Sequence, residues 1–258
     1  MSSSDLRRLG EARDRRGEIE AALEPLYTDG LITEVVDLVR RGKEANVYCC
    51  RGSSWSGREY VAAKVYRAIE QRGFRNDGAY QPGRERALAT RAKRALANKS
   101  RQGRMVQFGV WIHSEFETLQ MLHQAGADVP EPIACVGSTL LMEFIGDGAE
   151  AAPMLARVAM NAEEAQACLR QVIDNIALWL GLHRIHGDLS PYNILYRDGG
   201  VVMIDFPQAV DPRFNPNARD LLERDLENVC GHFERLGLRP NAKRIAHELW
   251  QRYRFGDV

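Results

Sequence analysis

His186-Gly187-Asp188-Leu189-Ser190-Pro191-Tyr192-Asn193-Ile194-Leu195, followed by Ile204-Asp205-Phe206, is the stretch on which the reading of this chain turns. It sets an Asp, an Asn five residues on, and a second Asp twelve residues after that. These side chains fit one chemistry. Moving a phosphoryl group onto a hydroxyl needs a carboxylate beside that hydroxyl and oxygen ligands that hold Mg²⁺ on a triphosphate. The apolar runs 193–196 and 201–206, joined by Arg197-Asp198-Gly199-Gly200, predict a hairpin that presents both metal ligands at one edge. Asp188 is then the candidate general base, or the group that orients the acceptor. Asn193 and Asp205 are the candidate metal ligands.

Outward from this core, one charge interrupts an apolar strand: Lys64 in Val61-Ala62-Ala63-Lys64-Val65-Tyr66. A lysine in such a run is either an edge-strand gatekeeper or the kinase-type lysine that meets the α- and β-phosphates. The second role accounts for a charge in an element expected to be buried. Such a lysine needs a carboxylate to position it. A helix predicted over 105–125 offers Glu115 and Glu117, which point in different directions. Glu115, beside Phe116 and four residues after Trp111, is the choice. The turn before the preceding strand carries a single glycine. Gly42, Lys43, Glu44, Ala45, Asn46 and Val47 are read as a phosphate-covering loop acting through backbone N–H groups and Lys43. Met142, Glu143, Phe144 and Ile145 sit where a hinge would offer backbone groups to adenine. His186 is read as ordering its loop. Asp225 is either a solvated helix charge or an acceptor for backbone N–H groups of the catalytic loop.

The organisation follows the same division. Residues 1–30 read as an N-terminal helical arm, a surface helix over 5–24 ending near Pro25. Residues 31–145 read as an N-lobe with strands over 32–39, 45–50, 60–66, 133–136 and 139–145. Residues 146–258 read as a helical C-lobe with helices over 163–185, 217–236 and 240–253. The N-lobe carries a basic insertion, 67–104, in which eleven Lys and Arg face three acids in a chain whose overall charge is zero. That segment is either a solvated insertion or an electrostatic footprint for RNA, an acidic partner or phosphates. The 258 residues, 45% apolar and 27% charged, describe an ordinary globular protein. Its five cysteines show no disulfide or metal spacing. With no signal peptide and no membrane-length apolar run, a cytoplasmic protein without membrane contact is expected.

Together, Gly42-Lys43-Glu44-Ala45-Asn46-Val47-Tyr48, Ala63-Lys64-Val65-Tyr66, Met142-Glu143-Phe144-Ile145-Gly146, the stretch 186–196 and Ile204-Asp205-Phe206-Pro207-Gln208 resemble the RIO family of atypical serine/threonine protein kinases. The resemblance runs from about residue 31 to 240. It implies an α+β, two-lobed protein-kinase-like fold whose trimmed C-lobe lacks the activation segment and the peptide-binding subdomains. It implies ATP as substrate with Mg²⁺, or alternatively Mn²⁺, and Lys64 and Asp188 as catalytic residues. It also implies autophosphorylation on serine, an ATPase switch through the metal-binding aspartate, here Asp205, and a ribosomal particle or RNA as partner. Arg40-Arg41 stands where relatives carry a hydroxyl pair, and Gly187 replaces the usual Arg. The second change removes control through a phosphorylated activation loop. Two further readings stay open. One is a small-molecule phosphotransferase of the aminoglycoside or choline kinase type. The other is a nucleotide-gated assembly factor bound to ribosomes or RNA, motivated by the basic segment.

Overall fold

The computed structural model describes residues 19–67 and 101–256. Their contacts divide into two compact units, one holding residues 19–67 and Ile133–Phe144, the other holding residues 101–132 and 145–256.

The strand Tyr60–Tyr66 organises the first unit. Strands β1 (Ile32–Arg41), β2 (Ala45–Gly52), β3 (Tyr60–Tyr66), β4 (Pro132–Val136) and β5 (Thr139–Glu143) form one sheet in the order β1-β2-β3-β5-β4. β3 pairs antiparallel with β2 on one side and β5 on the other. A central strand covered on both faces must be apolar at nearly every position, which is why its sequence does not alternate. β1 lies at an edge and its register against β2 shifts three times. Such bulges twist an edge away from pairing with another chain.

A helix, α1 (residues 19–28), packs on one face of this sheet. Its Leu23 and Leu26 join Ile32, Tyr48, Cys50, Val61, Ala63, Val65 and Leu141 in a single core cluster. The expectation of a surface helix stopping near Pro25 is therefore corrected for these residues. The helix runs on through Pro25, whose missing N–H forfeits one intrahelical bond. Burial of two leucines, each worth about 1.5–3 kcal/mol, offsets that loss. The true stop is Gly30, at φ +66°. Around it Leu31 N–H donates to Leu26 C=O at 2.9 Å and Gly30 N–H to Tyr27 C=O at 3.0 Å, the two bonds of a Schellman motif.

The second unit contains α2 (Arg101–Gln124), the short strands β6 (Gly146–Asp147) and β7 (Glu150–Ala151), α3 (Ala162–Gly181), the hairpin β8 (Ile194–Arg197) and β9 (Gly200–Met203), α4 (Ala218–Arg235) and α5 (Ala242–Phe255). α2, which the sequence reading placed with the sheet, groups with this unit. It ends as predicted at Gly126, φ +82°, where Ala127 N–H donates to Leu122 C=O at 3.0 Å. The turn that follows is held by a polar knot. Asp128 accepts from Asn175 Nδ2 at 2.6 Å and Gln171 Nε2 at 2.9 Å, and its carbonyl accepts from Met203 N–H at 2.9 Å. The end of α2, the middle of α3 and strand β9 are thereby joined. α3 starts in a capping box between Asn161 and Glu164. Asp198 and Gly199, at φ +53° and +80°, build the two-residue hairpin turn, as Asp-Gly between apolar runs predicts. No helix among the described residues is long and apolar enough to cross a membrane.

Replacing the fully buried Leu26 by Ala should lower stability by about 2–5 kcal/mol, whereas Tyr27→Ala, at a position 42% exposed, should cost less than about 1 kcal/mol. Urea unfolding of both variants checks this. Equal effects would mean that α1 does not pack on the sheet.

Candidate active site

In the second unit the loop 186–193 is fixed by atoms from α4 and from the segment after β9. Asp225, buried on α4, accepts from Gly187 N–H at 2.7 Å through Oδ2 and from Leu189 N–H at 2.9 Å through Oδ1. Its neighbour Arg224 donates to Gly187 C=O, and Asn228, one turn on, donates to Leu189 C=O at 3.1 Å. One helical turn thus holds both polar groups of Gly187 and of Leu189, either side of Asp188. Of the two readings of Asp225, the structure selects the loop anchor. Burial pushes this carboxyl up to about 7, while the two N–H donors and Arg224 pull the other way.

His186 braces the loop from below. Its Nε2 lies 3.1 Å from Ile204 C=O, which can only accept, so Nε2 carries the proton and Nδ1 accepts from Asp188 N–H at 3.3 Å. The ring packs on Phe206 at 4.5 Å between centroids, and Trp179 meets Phe206 edge-on at 5.2 Å. Asn193 is also buried. Its Nδ2 donates to Asp188 C=O at 3.0 Å, so Oδ1 is the amide atom left for a metal.

The hairpin then brings the second aspartate alongside. Ile204 N–H donates to Asn193 C=O at 2.9 Å, extending the ladder one step past the Ile194–Met203 pair. Asn193 and Asp205 therefore leave the same end of the hairpin, as the spacing predicts. Asp205 itself sits at φ +73°, a region that costs a non-glycine residue of order 1–3 kcal/mol. Asp188 is exposed to solvent, yet its pKa is raised, first by partial desolvation and then by the charge of Asp205, against the pull of Arg224.

α2 grips the segment that follows. Glu115, 2% exposed, accepts from Phe206 N–H at 3.0 Å, and Trp111 Nε1 donates to Pro207 C=O at 2.9 Å. Glu117 lies on the exposed side and pairs with His113 at 3.4 Å. Glu115 is thus the helix carboxylate that is buried and engaged.

In the first unit Lys64, 6% exposed, sits at mid-β3 opposite Val47 and Leu140. Its Nζ lies 5.0 Å from the centre of the Tyr66 ring. In the adjoining loop Gly42 N–H donates to Ala45 C=O at 2.9 Å. A Cβ on Gly42 would fall 2.6 Å from that carbonyl oxygen, so the glycine answers a close approach. Lys43 and Glu44 are exposed, whereas Ala45 is buried. The Asn46 side chain shares a face with Tyr48 and is bonded to its hydroxyl at 3.2 Å, leaving backbone groups for any part it plays at a nucleotide. Of the residues read as a hinge, Met142 lies within β5 opposite Ala62. Glu143 forms an ion pair with Arg58 at 3.2 Å, Phe144 packs at 6.4 Å from Tyr60, and Ile145 C=O accepts from Ala152 N–H at 2.9 Å. Most of the basic insertion, residues 68–100, lies outside the described residues, as does the arm before residue 19.

Sequence reasoning missed Asn228 and the bonds from Trp111 and Arg224. Asn228 had a signal: Asp225 and Asn228 stand three apart on one helix, within reach of one loop. Bonds from Trp111 and Arg224 to backbone carbonyls leave no trace in side-chain patterns.

A family model described as the RIO domain matches residues 46–245. The chain belongs to the RIO family. RIO-type serine/threonine-protein kinase Rio1 of Haloferax volcanii is 35% identical over 84% of this chain and 69% of its own length. Human serine/threonine-protein kinase RIO1 is 32% identical over 91% of this chain but only 40% of its own length, so this chain spans well under half of that relative. The Rio1 kinase of Thermoplasma acidophilum is 30% identical over 74% of the chain and 93% of its own length. In fold, the chain is similar to the Rio2 kinase from Chaetomium thermophilum solved as an ADP/Mg²⁺–phosphoaspartate complex. The TM-score is 0.63 at 23% identity, over 88% of this chain and 64% of that one. The trimmed kinase-like α+β fold follows, and the family is one of protein kinases. The small-molecule phosphotransferase reading is not favoured.

Asp225→Ala would orphan two buried N–H groups of the RIO loop, at about 1–3 kcal/mol each. Asn228→Ala orphans one carbonyl and should cost less. Chemical unfolding of both variants gives the ratio, and an unchanged midpoint for Asp225→Ala would refute the anchor.

Proposed function

We propose that this RIO-family chain transfers the γ-phosphoryl group of ATP to serine or threonine hydroxyls of protein, its own among them. The observation that carries this reading is the fixing of Asp188, Asn193 and Asp205 around one loop and one hairpin end. Asp188 receives or orients the acceptor hydroxyl, and its raised pKa suits a proton acceptor better than an ordinary carboxylate would. Lys64 meets the nucleotide phosphates, and the loop Gly42–Val47 covers them with backbone N–H groups. Glu115 keeps the Asp205 segment in place through Phe206 N–H. Adenine is assigned to backbone groups of Met142–Ile145.

Magnesium suits the donor set. Asn193 and Asp205 offer oxygen only, and no group of three or more His, Cys, Asp and Glu that could hold a metal occurs among the described residues. Mg²⁺ ordinarily takes one or two such side chains and completes its shell with phosphates and water. Asp188 is raised first by desolvation and then by the charge of Asp205, and a cation on Asp205 would relieve only the second of these. When bound, the ion neutralises charge that builds up on the phosphate oxygens.

A second reading ends the same machinery in an acyl phosphate on Asp205, as an ATPase switch. The Rio2 complex named above, which contains a phosphoaspartate, supports it. The proposed setting is cytoplasmic, with RNA or a ribosomal particle engaging the basic segment 67–104. Loss of salt-sensitive RNA binding on neutralising Arg84, Arg86, Arg91 and Arg94 would bear this out, and unchanged affinity would remove it.

Asp188→Asn should lower turnover about 10²–10⁴-fold while nucleotide affinity stays near wild type. Incubation with γ-labelled ATP and Mg²⁺ tests the rest: acid-stable label marks serine or threonine, and hydroxylamine-sensitive label marks aspartate. Wild-type labelling by the Asp188 variant would remove that residue from the mechanism.

A further inference from the structure

Arg67 follows β3 directly, three residues after Lys64, and is half-buried. Two of its groups reach back to the start of β2 and to the residue just before it. Its backbone N–H donates to Glu44 C=O at 2.9 Å, and its Nη2 donates to Asn46 Oδ1 at 3.1 Å. Asn46 in turn gives Nδ2 to the Tyr48 hydroxyl at 3.2 Å, and Tyr48 belongs to the core cluster under α1. Arg67, Asn46 and Tyr48 thus form a chain of hydrogen bonds that ends in the hydrophobic core.

The side on which this chain lies matters. Asn46 is paired with Val65, and Val65 joins Tyr48 in the cluster on the α1 face. Lys64, between Ala63 and Val65 of that same cluster, points to the opposite face. Arg67 therefore holds the loop from behind, away from the face that bears the catalytic lysine. The loop needs such a hold. Its second half, residues 45–47, is paired with β3, but the turn before it has a single glycine, a hydrogen bond from Gly42 N–H to Ala45 C=O, and exposed residues at Arg41, Lys43 and Glu44.

We propose that Arg67 is a positioning residue for nucleotide binding: its guanidinium on Asn46 and its N–H on Glu44 fix the loop Gly42–Val47 against β3 in the form that receives phosphates. This rests on the kinase reading above. Without the clamp the loop samples more conformers, and apparent affinity falls by the fraction that remains competent. One charge-assisted hydrogen bond is enough to change that fraction by a factor of about ten.

The test uses the full chain and Mg·ADP. Arg67→Met keeps the aliphatic stem and should raise the Kd for Mg·ADP about ten-fold, with kcat at saturating ATP within about two-fold. Arg67→Lys, which can still reach Asn46 Oδ1, should recover most of the affinity. Amide exchange in the nucleotide-free protein gives an independent readout, because Arg67→Met should speed exchange of Gly42 N–H. Should Arg67→Met not fold, Tyr48→Phe removes the far end of the chain and should raise the Kd in the same direction. Unchanged Kd and unchanged exchange, or a loss confined to kcat, overturns the clamp. Failure of the wild type itself to bind Mg·ADP removes the kinase reading and the clamp with it. That result differs plainly from wild-type binding that the variants leave intact.

Discussion

The Asp225 carboxylate is the fixed point of the second unit. A carboxyl 2% exposed should be expensive, because burial disfavours its charge. It is tolerated because each oxygen meets a backbone N–H that would otherwise be buried without a partner. The exchange serves both sides. The loop gains a rigid footing at Gly187 and Leu189, and Asp188 between them can turn its side chain to solvent while its backbone stays still. Arg224 and Asn228 complete the footing by taking the carbonyls of the same two residues. A single turn of α4 therefore fixes a loop that has no regular structure of its own.

The strain at Asp205 makes sense against that footing. A non-glycine residue at φ +73° relaxes unless its neighbours over-determine it. Here they do. Ile204 is held by Asn193 through its N–H and by His186 through its carbonyl, Phe206 N–H is held by Glu115, and Pro207 C=O by Trp111. The flanking peptide groups leave the Asp205 backbone no easy rotation, so it stays at the end of the hairpin from which Asn193 also leaves. Strain gathered at the residue proposed to hold a metal is the pattern expected where function overrides local preference.

Much of this was legible in the residues. Asp-Gly between apolar runs dictated the β8–β9 turn, and the unbroken apolar run around Lys64 dictated a central strand. Both signals are local, and local signals survive folding. What the residues hid has another origin. Pro25 reads as a stop because the sequence displays its missing N–H and hides the core that buries Leu23 and Leu26. Glu115 and Glu117 differ by two positions, and Glu115, chosen for its place beside Phe116 and one turn after Trp111, is the buried one, while Glu117 is exposed. Asn46, with its whole loop, is read as acting through backbone N–H groups. Its side chain in fact follows the strand's alternation to the face of Tyr48, a consequence of where β2 begins that residue identity alone does not reveal.

The same fact explains why a glycine-rich search passes over this loop. Such motifs assume that several glycines let the backbone approach phosphates. In this chain the Asn46 side chain is drawn to the back of the sheet, Ala45 is buried with a methyl group alone, and Lys43 and Glu44 stand out in solvent. The backbone at the turn is bare enough without further glycine. Gly42 is required only because a Cβ would strike the Ala45 carbonyl at 2.6 Å. Under the proposed nucleotide role, this loop supplies by turning one side chain away what glycine supplies elsewhere through missing side chains, with Arg67 bonded to the side chain that is turned.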